Sequence, residues 1–132
     1  MLAAAHTGIL TTLMGDGTPI SLPMWFVAMD ERIYVTTPAH TKKVARVKRN
    51  PRVSFLVESG KRWAELEAVH LTGRARIIED NDVRSCVRAA LDDKYAAFRT
   101  EGGDRNVDGI AMAVIEITPD DRMLTWDNTR LH

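Results

Sequence analysis

Apolar residues alternate with polar ones, or fill both alternating sets, through most of this chain, and change to helical spacing in two places. The segment 7–14, TGILTTLM, reads as a strand that runs into Gly15-Asp16-Gly17, a hairpin turn. The segment 19–29, PISLPMWFVAM, is apolar on both sides: Ile20, Leu22, Met24 and Phe26 fall on one, Trp25, Val27 and Met29 on the other. This pattern predicts one continuous strand covered on both faces. Asp30-Glu31-Arg32 is a polar turn, and Ile33–Thr37 the third strand of an antiparallel meander. Pro38 ends it. Thr41 can then cap a helix running to about Arg49, with Val44 and Val47 as its apolar side. Asn50-Pro51 stops that helix, because a residue before proline avoids the helical region.

Val53–Glu58 is a fourth strand, followed by a turn at Ser59-Gly60-Lys61. In the fifth, Val69, Leu71, Gly73, Ala75 and Ile77 alternate with His70, Thr72, Arg74 and Arg76, which predicts one core face and one polar face. From Asp80 to Phe98 the spacing is helical, with Asp80 or Asn81 as cap and a stripe of Val83, Val87, Ala90, Leu91, Lys94 or Tyr95, and Phe98. Residues 100–109 read as a loop, Ile110–Thr118 as a sixth strand, Pro119-Asp120-Asp121 as a turn and Arg122–Trp126 as a seventh strand. The fold class is therefore α+β, mainly β. Six to seven antiparallel strands form a closed or split barrel, with a short helix after the third strand and a longer one after the fifth.

Composition adds one feature to this picture. The chain carries 18 basic and 18 acidic side chains, yet between His40 and Arg52 it holds Lys42, Lys43, Arg46, Lys48, Arg49 and Arg52 with no acid. A helix N-terminus presents unpaired N–H groups, so a threonine and two lysines at the start of this helix suit a phosphate. A solvated basic face is the ordinary alternative. Nucleic acid is a third, but no aromatic residues interleave the charges as base stacking would require, and the balanced net charge disfavours it. The 132 residues fit a single domain, 1–132. Cys86 is the only cysteine, which excludes an internal disulfide and a multi-thiolate zinc site, and it reads as a small core or interface residue. The histidines, at 6, 40, 70 and 132, have no metal-ligand spacing, and His70 reads as structural. No apolar run approaches the roughly 18 residues of a membrane span, and the opening MLAAAHTG lacks a secretory signal's basic flank. A cytoplasmic protein without membrane partners is expected.

The pieces GILTTLMGDGTPISLPMWF, HTKKVARVKRNPRVSFLVE, VHLTGRARII and TWDNTRLH, in this order, resemble the pyridoxamine 5′-phosphate oxidase-like split β-barrel superfamily of flavin and deazaflavin proteins. A strand ending in MWF, then a third strand, TKK and an Arg-Asn-Pro helix end is similar to its actinobacterial coenzyme F420 branch; the parent superfamily uses FMN. The resemblance implies a homodimer with a cofactor in each groove between subunits. It places Thr41 and Lys43 at the cofactor phosphate, and Lys42, Arg46 and Arg49 at further negative charge such as the oligoglutamate tail of F420. Pro23, Met24, Trp25 and Phe26 would lie near the ring system, although Trp25 and Phe26 point to opposite faces of a strand. The backbone of Tyr34–Thr37, including Thr36 and Thr37, would lie beside it. Trp126 is implied at the partner's cofactor, and Arg130 at substrate. The chain ends at His132 where the vitamin-processing oxidases continue, so pyridoxamine phosphate oxidation is not expected. The activity implied is hydride transfer between F420 and a small organic substrate, with no catalytic residue named. The alternatives are an FMN-dependent oxidoreductase and a non-catalytic cofactor- or haem-binding member.

Overall fold

The computed structural model describes residues 7–59, 67–96 and 111–127. β1 (Gly8–Leu13) and β2 (Pro19–Met24) form the first hairpin, with Gly8 opposite Met24 and Leu13 opposite Pro19. Its turn closes as the Gly-Asp-Gly signal predicts: Gly17 takes φ 89°, a left-handed value that glycine adopts without penalty, and Asp16 Oδ1 accepts from the Thr18 amide at 2.9 Å. β3 (Val27–Met29) and β4 (Arg32–Pro38) form a second hairpin. Its two-residue turn has Asp30 and Glu31 both at positive φ, which matches the twist of the flanking strands. α1 (Lys42–Arg49) leads to β5 (Arg52–Ser59) and β6 (Glu67–Ile78); α2 (Asn81–Lys94) precedes β7 (Met112–Asp127).

The strands form one sheet in the order β2-β1-β5-β6-β7-β4-β3, every neighbouring pair antiparallel. The apolar segment 19–29 is therefore not one strand. Its first half pairs with β1 at one edge of the sheet and its second half with β4 at the other. Only Trp25 and Phe26 lie between them, a reach of at most about 11 Å. The two edges are thus drawn together covalently without a ladder joining them, and the sheet curls into a half-barrel whose split lies at Trp25-Phe26.

The far end of the chain shows the opposite error. Pro119-Asp120-Asp121 is not a turn between two strands but part of a single 16-residue β7. There the register with β6 jumps, Leu71 facing Met123 and Gly73 facing Pro119. The bulge explains the turn-like composition. Asp120 accepts from Thr72 Oγ1 at 2.8 Å and from the Arg52 guanidinium at 3.1 and 3.3 Å, while proline costs nothing where the ladder is already interrupted. Gly73 lets the strands close up, since a Cβ there would overlap the Thr118 carbonyl oxygen.

Two cores follow from the alternation. Leu10, Phe26, Ile33, Val35, Val53, Phe55, Val57, Leu71, Ile115 and Ile117 fill the barrel, which Val44 and Val47 of α1 join. On the outer side of β4 and β7, Tyr34, Val114 and Ile78 pack against Val87, Leu91 and Tyr95 of the α2 stripe. α2 starts at its acidic cap: Asp80 accepts from the amides of Asp82 and Val83 at 2.8 and 3.1 Å. It stops at Lys94 with Tyr95 as its C-terminal cap residue, short of the expected Phe98, which lies outside the described residues. Cys86 is exposed on α2 rather than part of a core. β2 is not covered on both faces within the chain; Pro19, Ser21, Leu22 and Pro23 are all exposed.

Candidate functional site

The basic helix forms where expected, with Lys42, Lys43, Arg46, Lys48 and Arg49 on it and no acidic residue in its first turn. Thr41 occupies the cap position but does not cap. Its hydroxyl donates back to the Pro38 carbonyl at 2.9 Å and makes no hydrogen bond to the helix. The first-turn N–H groups thus keep their capacity for another acceptor. Around them the cations are arranged unequally. Lys43 is half-buried, and burial first, then the charge of Arg46, lower its pKa below the ordinary lysine value. Arg46 lies along the barrel wall, where its Nε donates to Thr12 Oγ1 of β1 at 2.8 Å. Thr12 is itself 1% exposed, so this bond fixes the direction of the guanidinium. Arg49 lies beside Gly15 in the β1–β2 turn, and Lys42 is exposed at the helix start. Arg46 and Arg49 thus bring positive charge to the side of α1 that meets the first hairpin.

The ring-site candidates divide by strand alternation. Pro23 and Trp25 are exposed; Met24 and Phe26 turn inward, Phe26 fully buried with its ring edge-on to Phe55 at 5.1 Å. Trp25 keeps 41% of its surface exposed, and its indole lies flat on the Tyr95 ring, centroids 4.2 Å apart and planes 2° from parallel. At the split the Phe26 backbone has lost the ladder a continuous strand would supply, and α2 replaces it. Tyr95 Oη accepts from the Phe26 amide at 2.9 Å and donates to the Phe26 carbonyl at 3.0 Å, and Lys94 Nζ donates to the same carbonyl at 2.9 Å. Lys94 also sits 3.7 Å from the centroid of the Phe26 ring. Burial lowers the Lys94 pKa and raises that of Tyr95, which keeps the phenol in the protonated form this double role requires.

On β4, Thr36 is half-buried and Thr37 buried, opposite Val114 and Ala113 of β7. Tyr34 faces α2, and its hydroxyl donates to Glu116 Oε2 at 2.9 Å. Arg76 Nε donates to Glu116 Oε1 at 2.7 Å, and Arg32 approaches at 3.9 Å. Burial pulls the Glu116 carboxyl up, yet the bonds from Arg76 and Tyr34 outweigh it and hold its pKa below the ordinary value. This network lines a groove of about 720 Å³ with Met29, Val83 and Cys86. A second groove of about 630 Å³ lies between the Asp30-Glu31 turn and the Thr118–Asp121 bulge. No α1 residue lines either. A smaller groove of about 350 Å³ is lined by Val47 and Lys48 of α1 together with Pro51, Ala75 and Arg76.

Trp126 belongs to β7, where its backbone pairs with Ala68, but its side chain, like Arg130 and His132, lies outside the described residues. Sequence reasoning missed the clamp by Tyr95 and Lys94 and the Glu116 network. The available signal was a tyrosine within an apolar helix stripe, since a buried phenol needs a hydrogen-bond partner. Among the described residues no group of His, Cys, Asp and Glu could hold a metal, and no helix is long and apolar enough to cross a membrane.

The family model described as pyridoxamine 5′-phosphate oxidase matches residues 1–123. A conserved hypothetical protein of Mycobacterium tuberculosis is 30% identical over 98% of this chain and 81% of its own, with TM-score 0.82. A structure described as an F420 reductase is 24% identical, covering 93% of this chain and 92% of its own, with TM-score 0.70. An FAD-binding protein of Mesorhizobium loti is 20% identical, covering 94% and 85%, with TM-score 0.71. No curated protein matches this sequence.

Proposed function

The chain belongs to the pyridoxamine 5′-phosphate oxidase family, and from that premise we propose that it is a homodimeric oxidoreductase that binds coenzyme F420 and transfers a hydride between it and a small organic acceptor. The observation that carries this reading is the composition of the α1 face. Lys42 and Lys43 lie in an uncapped first turn without acids, and Arg46 and Arg49 of the last turn extend the positive charge beyond what one phosphate needs. That surplus favours a cofactor with a polyanionic tail over FMN, as does the likeness to an F420 reductase. The donor set fits the group: a cationic helix start for phosphate and, towards the other end of the first hairpin, an exposed indole for a flat ring.

Bound F420 would supply the hydride chemistry. The chain's own residues would hold it: Lys43 would neutralise phosphate charge to which the α1 amides donate, Arg46, held by Thr12, would meet the charged arm, and Trp25 would offer its indole to the ring. Homodimerisation would account for the edge of β2, which has one partner among the described residues and carries the exposed Leu22 ahead of the exposed Trp25 of the split. A second copy would cover that edge and turn the open α1 face into a groove. A cytoplasmic location accords with a cofactor of this kind. Reduced F420 offered with a panel of quinones, nitroaromatics and enones tests the activity. Oxidation of F420 with at least one acceptor class supports an enzyme; binding without oxidation by any would leave a carrier.

A further inference from the structure

We infer that Tyr95 is the positioning residue of the ligand slot: its hydroxyl fastens the split in the barrel at Phe26, and its ring fixes the plane of the Trp25 indole. The inference rests on the reading of Trp25 as a ring neighbour and adds to it the device that holds Trp25 in place. An exposed tryptophan in a link between two strands has several rotamers open to it, and a ligand that stacks on one of them must freeze the others at an entropic cost. Here the plane is already set, with the indole and phenol rings 4.2 Å apart and 2° from parallel. The support is itself rigid. Tyr95 is fully buried at the end of the α2 stripe, behind Val87 and Leu91.

The backbone argument points the same way. Trp25-Phe26 is where β2 ends and β3 begins, so the direction of the indole depends on two residues that no strand ladder holds. One phenol satisfies both backbone groups of Phe26, and the Lys94 ammonium adds a second donor to the carbonyl. Strand break and indole plane are thereby tied to a single side chain 69 residues away. Because α2 packs on β4 and β7 through the outer core, the slot's ring platform inherits the rigidity of the sheet.

The full chain labelled with 5-fluorotryptophan tests this by ¹⁹F NMR, the Trp25 resonance being identified by its loss in Trp25→Phe. Tyr95→Phe keeps the ring but removes the hydroxyl. It is expected to shift or broaden the Trp25 resonance and to weaken F420 binding by about fivefold, the effect of one hydrogen bond of ordinary strength. Lys94→Met keeps the stack and removes the second donor, and is expected to move the same resonance by less. If Tyr95→Phe does not fold, Lys94→Met alone carries the comparison. A Trp25 resonance unchanged in every variant that folds overturns the inference and leaves the cofactor reading standing. A wild-type protein that binds neither F420 nor FMN overturns the cofactor reading, and the ligand role of the clamp with it, even where the Trp25 resonance moves.

Discussion

Lys43 and Glu116 show how much a single side chain's surroundings decide. Lys43 is half-buried beside Arg46, and burial first and then that neighbouring charge disfavour its charged form. Replacing Lys43 with Ala is expected to weaken F420 binding by about 1.5–3 kcal/mol, the loss of one charge-assisted hydrogen bond. Unchanged affinity in a fluorescence titration would remove the phosphate from α1. Glu116 works in the opposite sense. Its pKa is lower in the folded chain than in the unfolded one, so its stabilisation is complete above the unfolded value and is lost as pH falls through the folded value. Glu116→Gln should cost about 1–3 kcal/mol at neutral pH and flatten the loss of stability on acidification. Urea unfolding at pH 7 and at pH 3 reads both effects, and parallel curves for variant and wild type would contradict them. Both residues sit in patterns a sequence exposes only in part. The basic run announces Lys43 at once, whereas Glu116 is an acid inside an apolar strand, and only the tertiary approach of Arg76, Arg32 and Tyr34 explains it.

Elements were legible where local chemistry and long-range pairing agree. α1 and α2 occur where helical spacing places them, and the first two turns occur where Gly-Asp-Gly and Asp-Glu lie. Local reading failed at two places, one where the chain crosses from one sheet edge to the other and one where the register of a single strand pair shifts. Within 19–29 the apolar pattern is unbroken, because Trp25 and Phe26 are as strand-like as their neighbours. What divides them is that β2 and β3 belong to opposite sheet edges. At 119–121 proline and two aspartates look like a turn, but they build a bulge whose carboxylate is held from β5 and β6. α2 links these elements to the site, since its last turn carries Lys94 and leads into Tyr95. Loss of its cap in Asp80→Ala should lower stability by about 1 kcal/mol in urea unfolding. An unchanged midpoint would mean that packing of the stripe alone sets where α2 begins.

At the scale of the whole molecule, the half-barrel leaves its split, the β2 edge and the basic α1 face exposed on a single chain. We propose that a second copy completes the site there. Leu22 is exposed on β2, so Leu22→Asp is expected to leave the fold intact and shift the protein from dimer to monomer in light scattering. A wild-type protein that is monomeric at every concentration would contradict the dimer. The family was legible in the order of short motifs along the chain; the arrangement of the site was not, because Tyr95 reaches Phe26 across 69 positions of sequence. The central claim is that this open basic face receives a deazaflavin cofactor. Equilibrium titration of the purified protein with F420 and, separately, FMN, followed by fluorescence, tests it most directly. Saturable binding of F420, tighter than that of FMN and weakened in Lys43→Ala, is the predicted result; tight FMN binding with no response to F420 would contradict it.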